Sequence, residues 1–354
     1  MKNEQIEHKQ NELKQMRGQQ LVNNGYQNIT SFLAEGRQTM TTPIEVKIYG
    51  TRGSEPQGNR EYMEFGGDTS SYAITYGQQI HFLDAGTGLK RALKENLTST
   101  VTEAYLDITH GHLDHTYMGG AAGIYYNHLR EGIQVSGYKD IEEALQGLFD
   151  NNIRWPVPLS QLNGLNKKIN SLDGEDMLLR GTTVVTTMKN YHPHDGGKSY
   201  GGSLGFRYNF PGVDRVLSVA YVTDMEFDYK EGGVRQELSD KLRSDFVEFV
   251  RDADVLIADT QYTNEEYNNT LKFVRGWGHP TVEQIIELAK YAGVKDIRGS
   301  HHAPTRTDVM LHKLEEYAKN YALQIGYNGN FSYARDGDRI TLGSTPFLDV
   351  EKAA

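Results

Sequence analysis

Three histidines and one aspartate crowd into His110-Gly-His112-Leu-Asp114-His115, immediately behind the apolar run Ala104–Ile108. The chain has only 12 histidines in 354 residues, so a chance cluster of this kind is a poor explanation. Neutral imidazoles and carboxylates are natural ligands for zinc and similar divalent ions. Because positions 110 and 112 alternate, an extended or turning backbone can aim both rings at one ion. Asp114 and His115 then open the next element and can face a second ion. Four side chains cannot satisfy two ions, so the fold must bring further ligands from other segments. There is no cysteine, which excludes disulfides, thiolate metal sites and cysteine nucleophiles. Every ligand must therefore be His, Asp or Glu.

The surroundings of that cluster read as a layered α/β protein. Short β-branched and aromatic runs end in glycine or a polar residue, as strands do. They cover Val46–Gly50, Tyr72–Gly77, Ile80–Gly86 and Ala104–His110. Later runs are Thr183–Met188, Leu204–Tyr208, Val216–Val222, Val255–Ala258, Ile297–Gly299 and Asp336–Leu342. Helical spacing of apolar residues predicts helices over Lys139–Asn151, Leu238–Val250, Thr281–Tyr291 and Val309–Tyr321. Pro280 stands at the entry of the third and Gly293 just past its end. Strands that first come in pairs and then mix with helices argue for stacked layers.

Residues 1–43 differ in texture, being rich in Gln, Asn, Glu and Lys. They predict a polar helical extension or linker, either a frayed tail or a dimerisation element, ahead of one catalytic domain over 44–354. A homodimer is expected on that basis. No run approaches the ~20 apolar residues that span a bilayer, and Met1-Lys-Asn-Glu-Gln lacks the apolar core of a secretory signal. A cytoplasmic protein without membrane contact is expected. The net charge of −10 disfavours nucleic-acid polymers and anionic membranes as partners. A small anionic substrate stays open, because bound cations invert the local field.

Further polar residues stand just beyond apolar runs, where α/β active sites gather. His192 and His194 follow the run at 183–188, Asp224 follows 216–222, and His301 and His302 follow 297–299. The order His-x-His-x-Asp-His, then His, Asp and His, resembles the metallo-β-lactamase superfamily. Within it, the chain is most similar to the phosphodiesterase branch of ribonuclease Z and cyclic-nucleotide phosphodiesterase-like hydrolases. Supporting segments are Gly50-Thr-Arg-Gly-Ser54, Phe65-Gly-Gly-Asp68-Thr-Ser70, Leu83-Asp84-Ala-Gly-Thr-Gly88, Gly201-Gly-Ser-Leu-Gly-Phe206-Arg207, Ala258-Asp259-Thr-Gln-Tyr262, Gly276-Trp-Gly-His279-Pro-Thr281 and Ser300-His301-His-Ala-Pro304. Together they cover about residues 46 to 312, roughly three-quarters of the chain.

The resemblance implies an αββα sandwich of two mixed sheets flanked by helices. It also implies two divalent ions, zinc first and manganese as an alternative. One would be held by His110, His112 and His192, the other by Asp114, His115 and His301, with Asp224 bridging. Two such ions at ~3.5–4 Å clamp a phosphate and acidify a shared water to hydroxide. Asp84 would support the metal loop by hydrogen bonds. His279, oriented by Asp259, would protonate the leaving oxygen, with the end of the helix after it favouring an anion. Asp114, Asp259 and His279 are thus the residues tied to catalysis. Three positions depart from the family pattern. His194–Tyr200 separates His192 from Gly201-Gly-Ser, so His194 competes with the favoured His192; Ala303 replaces an acidic residue; and Asp68 stands where Asn is usual.

The reading is therefore a binuclear phosphodiesterase for a small phosphodiester, best a cyclic nucleotide. The alternatives are a tRNA 3′-processing endonuclease and a non-catalytic nucleotide binder. Lack of a Gly- and Lys-rich protruding arm counts against tRNA. Arg52, Ser54 and Thr69 could line the pocket, and Arg207 could meet phosphate or sit on a strand surface. His81 reads as structural, and His8, His128 and His312 carry no role. The segment 151–170 could form a lid, with Trp155 stacking on a base or, the stronger reading, packing in the core. Gly86-Thr-Gly88 lacks the third glycine and distant acid of a dinucleotide loop.

Overall fold

The computed structural model describes residues 42–118, 121–150, 153–192, 202–212, 214–228, 236–269, 271 and 274–343. The predicted N-terminal extension up to residue 41 and the alternative ligand His194 lie outside the described residues.

The chain lays down two seven-stranded sheets in nearly sequential order. The first contains β1 (Ile44–Gly50), β2 (Ser71–Tyr76), β3 (Gln79–Leu83), β4 (Glu103–Ile108), β5 (Ile133–Tyr138) and β6 (Leu165–Leu172). The second runs through β7 (Met177–Arg180), β8 (Thr183–Tyr191), β9 (Gly202–Pro211), β10 (Val216–Val222), β11 (Val255–Asp259), β12 (Asp296–Ser300) and β13 (Asn330–Tyr333). The last strand, β14 (Arg339–Leu342), returns to the first sheet beside β1.

Both sheets follow one plan. β1 to β3 and β7 to β10 pair antiparallel; β3 to β6 and β10 to β13 pair parallel. Parallel neighbours need crossovers, and helices supply them. On the first sheet these are α1 (Leu89–Asn96), α2 (Leu113–Thr116), α3 (Ala122–Tyr125) and α4 (Ile141–Phe149). On the second they are α5 (Gln236–Phe249), α6 (Asn264–Tyr267), α7 (Val282–Ala292) and α8 (Asp308–Gln324). Among the described residues, no helix is long and apolar enough to cross a membrane.

Apolar side chains form three layers. Tyr72, Leu83, Phe206, Tyr208 and Ile257 fill the space between the sheets. Ile80, Leu106, Val135 and Leu145 pack the first sheet against its helices. Leu256, Ile286, Phe246 and Ile297 do so on the second. This is the αββα sandwich expected from the sequence. α7 begins at a capping box, with the Thr281 hydroxyl accepting from Gln284 N and the Gln284 side chain accepting from Thr281 N. Pro280 therefore precedes the cap, and Gly293 ends the helix at φ 73°.

Within the segment 151–170, residues 165–170 belong to the edge strand β6, and Trp155 packs 6.2 Å from Tyr125 and 6.3 Å from Phe149, measured between ring centres. Core packing was the stronger reading, and the structure agrees with it.

One ion pair sits inside the apolar layer. Arg180 on β7 makes a two-pronged contact to Asp107 on β4, at 2.6 Å from Nη2, and donates to Ser136 Oγ at 2.9 Å. Tyr208 on β9 donates to the same carboxylate at 2.8 Å. Burial alone would raise the Asp107 carboxyl, but Arg180 and His81 bring it down to about 2. His81 stacks on Tyr105 at 4.9 Å in this cluster, which confirms its structural role. The pair ties the two sheets together, and removing one partner strands a buried charge. Arg180→Met should cost about 3–5 kcal/mol in chemical denaturation. Because the folded carboxyl lies below its ordinary 3.8, its contribution is present above that pH and is lost as pH falls towards 2. The variant should flatten that acid limb of the stability curve.

Candidate metal centre

The polar residues predicted from sequence converge at the carboxyl ends of strands from both sheets. Asp84 follows β3, His110 and His112 follow β4, and Asp114 and His115 lie on α2. His192 follows β8, Asp224 follows β10, Asp259 ends β11 and His301 follows β12. Several of these positions require an unusual backbone. Among the described residues, Ser54, Asp84, Asp224, Asp252 and His301 are the non-glycine residues with positive φ, between 52° and 64°. All but Asp252 belong to the centre. Such a conformation costs an L-residue roughly 1–2 kcal/mol. At Asp84, Asp224 and His301 it turns the chain sharply just beyond the strand tip. Gly53 leaves the room that His301 needs, since a Cβ there would lie 2.3 Å from the His301 ring.

The donors fall into two sets joined by one carboxylate. His110, His112 and His192 form one set, with His192 Nε2 3.1 Å from His112 Nδ1. Asp114, His115 and His301 form the other, with Asp114 Oδ2 3.3 Å from His115 Nε2 and 3.4 Å from His301 Nε2. Asp224 turns Oδ1 to the first set, 3.9 Å from His110 Nε2 and 3.7 Å from His192 Nε2. It turns Oδ2 to the second, 3.3 Å from both His115 Nε2 and His301 Nε2. Two donors bound tetrahedrally to one ion at ~2.1 Å lie roughly 3.4 Å apart. The observed separations have that scale.

The opposite ring nitrogens are already engaged. His115 Nδ1 lies 2.7 Å from Asp84 Oδ2, His301 Nδ1 2.9 Å from Gln261 Oε1, and His192 Nδ1 3.2 Å from Gly278 O. With Nδ1 donating, each Nε2 presents its lone pair to the cleft. The buried Nε2 atoms of His110, His115 and His301 have no hydrogen-bond partner. Unsatisfied, buried and convergent nitrogens are what a divalent ion would complete, and the donor set fits one in each group. Asp84 also accepts from Thr109 N at 2.7 Å and Tyr221 OH at 2.5 Å, so it locks the loop between β4 and α2.

Electrostatics point the same way. Burial pushes His110 well below its ordinary range and His192 down to about 3, so both are neutral donors. Burial also works against charge on His115 and His301. Asp114, Asp84 and Asp224 nevertheless raise His115 well above its usual range. Asp224, Asp259 and Asp114 raise His301 to about 9. The carboxylates thus favour positive charge at this centre, which divalent cations on the Nε2 lone pairs would supply.

The centre opens to a cleft of about 300 Å³ lined by His112, Asp114, His192, Asp224 and His301 from the donor sets and by Ser54, His279 and Trp277. Ser54 was a weak candidate from sequence; its N–H donates to Asp114 Oδ2 at 2.7 Å. Arg52 and Thr69 do not line the cleft. Arg52 is buried and donates to the carbonyls of Gly66, Arg306 and Tyr62, and Thr69 bonds Thr87. Arg207 is neither a phosphate ligand nor a surface residue, since it is buried and braces Phe249 O and Arg251 O. His302 turns away and meets Ala334 O at 2.9 Å.

Sequence reasoning missed Gln261, Tyr221, Glu226 and Trp277. Of these, only Trp277 left a signal, an aromatic between two glycines just before His279.

No protein-family profile matches the chain, and no curated protein matches it by sequence. Solved structures do match. Yeast PDE1 in its unliganded form superposes with a TM-score of 0.62 at 15% identity, covering 85% of this chain and 100% of that one. The metallo-β-lactamase fold protein YhfI from Bacillus subtilis gives 0.59 at 17%, covering 85% and 99%. The short form of human tRNase Z gives 0.54 at 15%, covering 84% and 98%. The fold is that of the metallo-β-lactamases. In this metallo-β-lactamase fold the candidate centre sits on one edge of the sandwich, where strand tips of both sheets meet.

Asp224→Ala should remove the group that faces both donor sets. Elemental analysis after zinc loading should then fall from two equivalents in the parent to one or fewer. Two full equivalents in the variant would refute the bridging role.

Proposed function

We propose that this protein is a binuclear metal-dependent phosphodiesterase acting on a small phosphodiester, with a cyclic nucleotide as the best-fitting substrate. The observation that carries this reading is the split orientation of Asp224, one oxygen towards each donor set, with the His279–Asp259 pair on the same cleft. Zinc suits the imidazole and carboxylate donors, with manganese an alternative. When bound, the two ions supply Lewis acidity towards phosphate oxygens and acidify a water.

The chain's own residues supply the rest. Asp114, Asp224, Asp259 and the nearby Asp84 would together repel a phosphodiester, so substrate can enter only once cations balance them. His279 Nδ1 donates to Asp259 Oδ2 at 2.7 Å, and Asp259 Oδ1 accepts from Gln261 N at 2.9 Å. That anchoring leaves Nε2 of His279 as the atom able to pass a proton to the leaving oxygen. Asp259 would steady the imidazolium before transfer. The helix end behind His279 contributes less than the sequence suggested. Gln284 N is taken by the Thr281 hydroxyl and Val282 N by Tyr262 O at 2.9 Å. An anion would find those donors occupied.

The tRNA-processing reading shares the fold, because human tRNase Z matches it. Net charge of −10 argues against a polyanionic polymer. Steeply salt-dependent tRNA affinity would favour that reading instead.

His279 also lies near His192 and Asp224, so it could be a ligand. His279→Ala separates the two roles. It should retain its metal and slow hydrolysis of bis(p-nitrophenyl) phosphate by about 100-fold or more, the scale of a lost general acid. Loss of metal would make His279 a ligand and overturn the assignment. If the zinc- and manganese-loaded parent turns over neither this ester nor cyclic mononucleotides, the nucleotide-binder reading replaces the enzyme.

A further inference from the structure

The loop Gly276-Trp277-Gly278-His279 is clamped, and the clamp holds an indole out into the cleft. Gly276 and Gly278 have φ of 91° and 89°, conformations that favour glycine. Their N–H groups donate to the two oxygens of one buried carboxylate, Glu226, at 2.7 and 2.8 Å. Tyr267 OH donates to the same carboxylate, and Glu226 N donates to Tyr191 O at 2.8 Å. Gly278 O in turn accepts from His192 Nδ1 at 3.2 Å. The loop is thus tied on one side to the turn bearing Asp224 and on the other to a metal-donor histidine.

Between the two clamped peptides, Trp277 lines the cleft and is 59% exposed. An indole held in water on a pinned loop forgoes the burial that usually stabilises tryptophan. Its position on the wall of the cleft suits a ligand that brings its own flat apolar face. We propose that Trp277 is a stacking platform for a planar heterocycle, the nucleobase of a nucleotide whose phosphate lies against the His/Asp centre. This rests on the phosphodiesterase reading for where the phosphate lies, although stacking can be tested by binding alone. The clamp removes the ordering cost that a floppy aromatic would incur on binding. Every base has a π face, so such a platform accepts purines and pyrimidines alike and discriminates against phosphodiesters without a ring.

Tryptophan emission reads this directly. The chain has two tryptophans, and Trp155 packs in the outer core of the first sheet. Zinc-loaded protein would be titrated with 5′-AMP and with ribose 5-phosphate, which has the same phosphate and no base. AMP should quench emission in the parent and in Trp155→Phe but not in Trp277→Phe, and ribose 5-phosphate should quench none of them. In Trp277→Ala the AMP dissociation constant, measured calorimetrically, should rise about 10-fold or more, while that of ribose 5-phosphate stays put. Unchanged zinc content and circular dichroism would show that the variants fold. Equal affinity of the parent for AMP and ribose 5-phosphate, or unchanged AMP affinity in Trp277→Ala, overturns the proposal. Hydrolysis of bis(p-nitrophenyl) phosphate, followed in parallel, separates the two failures. Turnover without base discrimination sinks only the stacking role. Stacking without turnover sinks the phosphodiesterase reading.

Discussion

Asp224 is almost fully buried, yet five imidazole nitrogens, from His110, His115, His192, His279 and His301, stand within 3.9 Å of its oxygens. A carboxylate removed from water needs such compensation, and burial alone would raise its pKa. His301, His115 and His110 instead hold it well below the ordinary range. The arrangement also joins the two sheets. His110, His112, Asp114 and His115 come from the first; His192, Asp224 and His301 come from the second. A cation bound by either set would therefore cross-link the sandwich at its edge, as Arg180 and Asp107 link it in the interior. The two links differ in what they ask of the fold. The interior pair is closed and fully hydrogen-bonded, whereas the edge centre keeps nitrogens without partners.

That difference shows in the backbone. The left-handed residues Asp84, Asp224 and His301 each follow a strand whose end is buried, so the turn must be sharp to keep the side chain at the centre. Asp and His adopt this conformation more readily than most residues, though still at a cost. Such strain persists only where surrounding contacts over-determine it. Here they do: Asp84 accepts four groups, and His301 is held through Gln261 while Gly53 leaves its ring space.

Much of this was legible in the sequence, and the losses have physical causes. The central strands were readable because burial on both faces selects near-continuous apolar runs, as in Val255–Asp259. Three of the missed strands, β6, β7 and β13, lie at sheet edges. β6 carries exposed Lys167 and Lys168, which suit an edge but erase the strand pattern. The candidate metal donors were visible because each had to follow an apolar run and offer one of three residue types. Arg52 and Arg207 were misplaced for the opposite reason. A buried arginine satisfied by backbone carbonyls leaves the same trace in sequence as one waiting for phosphate. Glu226 and Gln261 were invisible because their partners are a loop and a ring that only the fold brings near.

Glu226 shows why the centre cannot be reduced to its donors. It lies two residues beyond Asp224, so one strand tip sets both the shared carboxylate and the clamp on residues 276–278. The loop it grips carries Trp277 and leads directly into His279, whose ring is anchored separately by Asp259. Proton delivery and base recognition would thus be referenced to the same turn that sets the cation pair. Burial raises the Glu226 carboxyl, opposed by Tyr267 and the two glycine N–H groups. Those donors favour the ionised form, and a carboxylate with two acceptor oxygens can hold both peptides at once. A glutamine would offer one oxygen and set its amide hydrogens against an N–H. The two clamped N–H groups are therefore matched one to each carboxylate oxygen, with the Tyr267 hydroxyl as a third donor at this depth.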